Sequence, residues 1–215
     1  RVGMTDYAFS GQYQQAPVPM GGAIIKEAWL HTYASHERPE KFDLLVQSWD
    51  TASKISESAA FSVCVTIGIK NQLAYIIDVF RRRMEFPTLK EEAIRLYRQF
   101  KPDHILVEDK SSGTQLVQEM KDVQMYRVVP IKPNGDKETR LVKHSVKFAS
   151  GRVRLPEQAY WLADYTHELI SFPSSKFSDQ VDATTQALEY LQERMDEPGL
   201  IAYYRMEVEK MKREG

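Results

Sequence analysis

Cysteine is nearly missing from this chain: Cys64 stands alone among 215 residues. That excludes an internal disulfide and any cysteine cluster for zinc, so the usual supports of a secreted scaffold or of thiol redox chemistry are absent and an intracellular compartment is expected. Long hydrophobic runs are lacking too. The densest, residues 61–69 and 73–80, stay under about 10 residues against the ~20 that span a bilayer, and no membrane crossing is expected. The five histidines show no His-Glu-x-x-His or paired spacing. No Gly-x-x-x-x-Gly-Lys-Ser/Thr loop is present to cradle phosphates, so ATP-driven movement cannot reside here. No Gly-x-Ser-x-Gly elbow offers a nucleophilic serine. The first residue is Arg1, with no basic stretch leading into an apolar signal, and the chain is expected to be a fragment of a longer one.

What remains is ordinary soluble composition, 42% apolar and 27% charged, enough for one core. Residues 1–41, rich in Gly, Pro, Gln and Tyr and without a period of 2 or 3.6, are expected to be a linker or edge extension held down by aromatics such as Tyr13 and Trp29. Residues 42–195 carry the periodic pattern, and 196–215 are expected to be a tail. Residues 42–49 run as a strand into Asp50-Thr51-Ala52-Ser53, and 61–69 and 73–80 flank Lys70-Asn71-Gln72 as a hairpin. Pro87 opens a helix to about Phe100. A short strand at 104–107, a helix at 114–121 and a strand at 126–131 follow. Helices are expected near 137–149, 157–170 and 179–195, with 152–155 a small strand or extended link. Three meandering strands followed by strands alternating with helices describe an α/β domain with a mixed sheet covered by helices.

Acidic residues fall where such a sheet brings them together. Asp50 ends the first strand, Glu108 and Asp109 end the fourth, and Asp179 and Asp182 begin the last helix. Groups at strand ends share one rim. Each has an ordinary reading: Asp50 as a turn former, Glu108-Asp109 as a helix-entry pair, Asp179 and Asp182 as charges complementing a helix N-terminus. Together they offer the hard oxygen donors that Mg²⁺ and Mn²⁺ prefer. Two such ions about 3.5–4 Å apart can activate a water and stabilise the leaving oxygen of a phosphodiester. On a helical wheel Asp179, Asp182 and Gln186 share one face, with Val181, Thr184, Leu188 and Leu191 on the other.

The formal charge of -1 hides a segregation. Residues 125–155 hold eight Lys/Arg against Asp136 and Glu138, a surplus of +6, whereas residues 156–197 carry −7. Lys137, Arg140, Lys143, His144 and Lys147 would occupy about a third of one helix, with Leu141, Val142, Val146, Phe148 and Ala149 opposite. A solvated face is the commoner meaning of such a stripe. Unpaired cations beside carboxylates suit a phosphate backbone lying across both.

Several motifs resemble the ribonuclease H-like nuclease domain of the large terminase subunit of tailed phages. They are Ser48-Trp49-Asp50-Thr51-Ala52, Leu106-Val107-Glu108-Asp109-Lys110-Ser111-Ser112-Gly113, Gly135-Asp136-Lys137-Glu138-Thr139-Arg140, Gly151-Arg152-Val153-Arg154-Leu155-Pro156, and Phe172-Pro173 before Asp179-Gln180-Val181-Asp182-Ala183. Tyr13-Gln14-Gln15-Ala16-Pro17 with Gly21-Gly22 resembles the connector leaving that family's ATPase domain, and Tyr203-Tyr204-Arg205 its tail. The resemblance implies a five-stranded sheet in order 3-2-1-4-5 with strand 2 antiparallel, and two-metal cutting of double-stranded DNA with little sequence preference. Asp50, Glu108 and Asp179 match the acidic triad, Asp182 is a fourth ligand or outer carboxylate, and Asp109 is a further candidate ranked below Glu108. Where the family often reads His-Asp-Asp, this chain reads Phe177-Ser178-Asp179, which removes a His ligand. Lys110, Lys137, Arg140, Lys143 and Lys147 are the expected DNA contacts. An ATPase domain, the portal and a small terminase subunit are the implied partners, in the cytoplasm of an infected bacterium. A junction resolvase, a transposase or a non-catalytic DNA-guiding and portal-docking module are the alternatives.

Overall fold

The computed structural model describes residues 23–52, 61–122 and 127–196, with positions 201, 208 and 211. The connector motif at 13–22 and the tail motif at 203–205 lie outside these residues. Seven strands form one sheet: β1 (His31–Tyr33), β2 (Leu44–Asp50), β3 (Ser62–Lys70), β4 (Leu73–Arg82), β5 (His104–Glu108), β6 (Val128–Ile131) and β7 (Val153–Pro156). Among the described residues the α-helices that accompany them are α1 (Phe86–Phe100), α2 (Ser112–Asp122), α3 (Lys137–Ala149), α4 (Leu162–Ser171) and α5 (Asp179–Met195).

The strand order is β1-β7-β4-β3-β2-β5-β6. Its β4-β3-β2-β5-β6 portion is the expected 3-2-1-4-5 arrangement, with β3 antiparallel to both neighbours and β5 and β6 parallel to β2. The β3–β4 hairpin turns through Asn71 and Gln72, both at positive φ, which matches the right-handed twist of the flanking strands. Strands β2, β4, β5 and β6 therefore end on one rim.

The sheet has two strands more than expected. β7 pairs with β4, and β1 pairs in parallel with β7, from within the segment read as a linker or extension. Tyr33 anchors β1, its ring buried and its hydroxyl donating to the Ile76 carbonyl at 2.8 Å. Glu157 donates its backbone N–H to Tyr33. That bond prolongs the β1 ladder, and α4 begins at Leu162 rather than at 157.

Two cores flank the sheet. Trp49, Cys64, Ile105 and Val107 pack against Leu89, Leu96 and Leu116 of α1 and α2. Proline in its first turn starts α1, and left-handed Lys101 followed by Pro102 stops it. On the other face Val46, Val65 and Ile67 meet Leu141 and Phe148 of α3, Tyr165 of α4, and Val181, Leu188 and Leu191 of α5. The first three turns of α5 are buried all round, Gln180, Thr184, Thr185 and Gln186 included. Thr184 and Thr185 satisfy their hydroxyls on the Gln180 and Asp182 carbonyls.

Helix α3 is rolled relative to the expected wheel. Leu141, His144, Lys147 and Phe148 face inward, while Val142 and Val146 are 54% and 68% exposed. Leu141 and Phe148, fully buried in the core, set the inward face, and His144 and Lys147 turn in with them. On the same side Lys143 meets Glu189 at 2.7 Å and Lys147 meets Asp196 at 3.5 Å. No helix among the described residues is long and apolar enough to cross a membrane.

Candidate active site

Asp50, at the C-terminal end of β2, is held in place by its neighbours. The Ser112 hydroxyl lies 2.9 Å from the Thr51 hydroxyl and 2.7 Å from the Ala52 carbonyl, tying the β2 exit to α2. Gly113 permits the tight entry into α2. A Cβ there would stand 2.0 Å from the Glu108 carbonyl oxygen, so only glycine lets α2 start against the end of β5.

The start of α5 is placed from outside the helix. Its N-cap Ser178 makes no side-chain cap bond. Glu168 of α4 supplies the cap, accepting from the backbone N–H groups of Gln180 at 2.7 Å and Val181 at 3.1 Å, and from the Gln180 amide at 2.7 Å. Gln186 pins α5 to the strand just before Asp50, donating to the Ser48 hydroxyl at 3.0 Å and the Trp49 carbonyl at 3.3 Å. These contacts project Asp179 and Asp182 toward Asp50 and Glu108.

All four carboxylates line one open cleft of about 490 Å³, together with Thr51, Phe61, Lys110, Gly135, Asp136, Lys137 and Arg140. Burial pushes the Asp50 carboxyl well above the ordinary carboxylate range, and repulsion from Asp182, Glu108 and Asp179 with a hydrogen bond to Glu108 adds to it. Burial also raises Asp179, against the Phe61 N–H that donates to it at 3.3 Å. Asp182 is different, since Lys137 and Arg140 both pair with it, the latter at 2.6 Å.

The donor chemistry fits a hard divalent cation: oxygen ligands only, in a site where burial, and then repulsion among the carboxylates, holds Asp50 above the ordinary carboxylate range. Among the described residues no three His, Cys, Asp or Glu side chains stand close enough to hold one ion as they are. Asp182 is drawn to its two cations and Asp179 to the Phe61 backbone, so an ion would have to gather them.

Asp109 does not line this cleft. Its carboxylate accepts from the Thr114 hydroxyl at 2.8 Å, and Lys132 lies 3.8 Å away. The expectation of unpaired cations along α3 is corrected as well. Lys137 and Arg140 serve Asp182, Lys143 serves Glu189, and Lys147 is buried beside Asp196. The +6 and −7 segments largely cancel across the α3–α5 seam. In the sequence Thr51 and Gly113 stand only inside motifs, without a role, and Glu168 and Phe61 have no place in the site. Glu168 carried a signal in retrospect, a lone acid on the inward side of α4, whereas Phe61 gave none.

The family described as Terminase RNaseH-like domain matches residues 47–191. No curated protein matches the chain. Among solved structures, the large terminase nuclease from thermophilic phage G20c with bound magnesium is similar at a TM-score of 0.60 and 13% identity, covering 80% of this chain and 98% of that one. The same nuclease has been solved with zinc and with cobalt. The Thermus phage P74-26 large terminase nuclease domain aligns at 0.55 and 11% identity over 75% of this chain and 90% of that one. The large terminase from thermophilic bacteriophage D6E aligns at 0.60 and 10% identity over 79% of this chain, which spans only 43% of that protein.

Proposed function

Since the chain belongs to the terminase RNaseH-like domain family, we infer that it is the nuclease part of a large terminase and hydrolyses the backbone of double-stranded DNA with the help of divalent metal ions. The observation that carries this reading is the gathering of Asp50, Glu108, Asp179 and Asp182, with Asp136 at the edge, in one cleft, where Asp50 and Glu108 have no basic side chain within ion-pair distance among the described residues. Such a concentration of like charge destabilises the fold unless a cation answers it.

Asp50, Glu108 and Asp179 would hold Mg²⁺ or Mn²⁺, with Asp182 released from Lys137 and Arg140 as a fourth donor. Two bound ions would supply Lewis acidity, activating a water and neutralising charge on the leaving 3′ oxygen. Lys110, Lys137 and Arg140, which line the cleft, would bind phosphates without reading bases. Lys143 and Lys147 act in the seam and reach DNA only if their pairs open. Thr51, Ser112 and Glu168 keep the carboxylates oriented. In the whole protein an ATPase domain, the portal and a small terminase subunit would be partners inside the infected host.

Supercoiled plasmid incubated with Mn²⁺, Mg²⁺ or EDTA tests this. Metal-dependent nicking by the wild type, lost in Asp179→Ala, is expected, as is a metal-induced rise in unfolding temperature from binding to the folded state, about 2.7 kcal/mol at a hundred times Kd. Equal nicking by wild type and variant would overturn it. The pairing of Asp182 with Lys137 and Arg140 favours a second reading, a DNA-guiding module without catalysis. Salt-sensitive DNA binding with no cutting and no thermal response to Mn²⁺ would select that one.

A further inference from the structure

The run Arg81-Arg82-Arg83 closes β4, and its three side chains part company. Arg82 turns to α1, 3.9 Å from Glu92. Arg81 turns inward, 3.6 Å from Glu168. Arg83 is exposed and has no carboxylate partner among the described residues. Its guanidinium lies 4.4 Å from the centre of the Phe61 ring, which is also in contact with Arg81 at 3.9 Å. Phe61 lines the carboxylate cleft and is braced edge-on by Phe177 at 5.1 Å.

Topology fixes where this platform stands. β4 and β2 both run antiparallel to β3, so the end of β4 shares the rim with Asp50 and Glu108. In the order β4-β3-β2-β5, Arg83 flanks the carboxylates on one side and Lys110, just beyond β5, on the other. At about 4.8 Å per strand the two strand ends are about 14 Å apart, several phosphate steps along a DNA strand. A guanidinium stacked by its face on an aromatic ring keeps its N–H edge free for a phosphate, and the ring limits the entropy lost on binding. The helix α3 cations, by contrast, are already committed to carboxylates.

We propose that Arg83, carried on the Phe61–Phe177 platform with exposed Lys176 beside it, is a phosphate-binding residue that clamps the DNA backbone on the β4 side of the cleft, opposite Lys110. This rests on the nuclease reading and names how its substrate is held. Phe61 has a double duty, since its backbone N–H binds Asp179 while its ring carries the clamp.

The test measures binding of a fluorescein-labelled duplex of mixed sequence by anisotropy in EDTA across a salt series, for wild type, Arg83→Gln, Lys176→Gln and Arg82→Gln, with unfolding temperatures as a check on folding. Arg83→Gln should lower the slope of log K against log salt by about 0.9, the loss of one phosphate contact, and weaken binding several-fold at low salt. Lys176→Gln should do the same more weakly. Arg82→Gln, facing α1, should match wild type. A wild type that binds and nicks DNA while Arg83→Gln shows the same slope overturns the clamp alone. A wild type that neither binds nor nicks overturns the nuclease reading and the clamp with it.

Discussion

Along the seam between α3 and α5 and just past their ends, Lys143 meets Glu189 at 2.7 Å and Arg152 meets Asp196 at 2.9 Å, whereas on the strand-end rim Asp50 and Glu108 have no ion-pair partner among the described residues. Both regions are dense in charge. In the seam opposite charges lie on facing elements and settle their own electrostatics. On the rim like charges are forced together by the sheet, with Gly113, Gln186 and Glu168 holding the elements that carry them. Structure built to keep repulsion in place points to an outside ligand, while structure that relieves it needs none. Asp182 stands between the two regimes, a rim carboxylate already served by two α3 cations.

The largest expected effect separates the two regions by opposite responses. Asp50→Asn should cut plasmid nicking at least about a hundredfold, since a metal ligand contributes several kcal/mol to the transition state. The same change should raise the metal-free unfolding midpoint. A carboxyl raised by folding favours the folded state at low pH and loses that advantage as pH rises. Wild type in EDTA should therefore weaken from weakly acidic to alkaline pH, and Asp50→Asn should flatten the trend. An Asp50→Asn variant less stable than wild type in EDTA would break the contrast.

The seam should respond to pH in the opposite direction. Burial, with the nearby Lys147, pushes His144 down to about 4 from 6.5, and its ring donates through Nε2 to Glu189 at 3.1 Å while buried Nδ1 has no hydrogen-bond partner among the described residues. The unfolded chain takes up a proton between those values that the folded one refuses. Stability conferred by the neutral ring is complete above about 6.5 and drains away toward 4, by up to about 3 kcal/mol. Urea midpoints across this range should fall less steeply for His144→Gln than for wild type. Parallel curves would mean the seam does not hold His144 neutral.

Gly113→Ala tests the scaffold of the rim. Its methyl group cannot share space with the Glu108 carbonyl, so β5 and α2 must separate at a cost of about 1–3 kcal/mol. Because the displaced residue is Glu108, nicking should fall by more than the loss of folded protein explains. A variant with wild-type midpoint and rate would show that Glu108 is not fixed from behind.

Much of this was legible in the residues. The five core strands followed from runs of β-branched and aromatic residues, and the acids at their ends followed from the rule that strand ends share a rim. The three-residue strand β1 was not, because its pairing with β7 is remote in sequence and leaves no local period. The true face of α3 was also hidden. Its wheel places valines and lysines on opposite sides, and the buried face centres on Leu141, His144 and Phe148, so that Lys147 turns in toward Asp196, a partner remote in sequence, while Val142 turns out. Local charge counts revealed segregation but not that the two segments would fold onto each other.

The smallest expected effect lies in the exposed part of the seam, and its smallness is the point. Lys143 and Glu189 are both about half exposed, so solvent screens their attraction and each side chain loses entropy in holding the pair. A double-mutant cycle of Lys143→Ala and Glu189→Ala should give a coupling of about 0.2–1 kcal/mol, shrinking with added salt. Glu189→Ala alone removes an acceptor from buried His144 as well, so its single-mutant cost should exceed that of Lys143→Ala. Nicking should stay at the wild-type rate in Lys143→Ala if the seam is structural. A rate that drops with salt-dependent loss of DNA binding would instead assign Lys143 to the cleft, and the division between paired seam and unpaired rim would have to be redrawn one helical turn closer to Glu189.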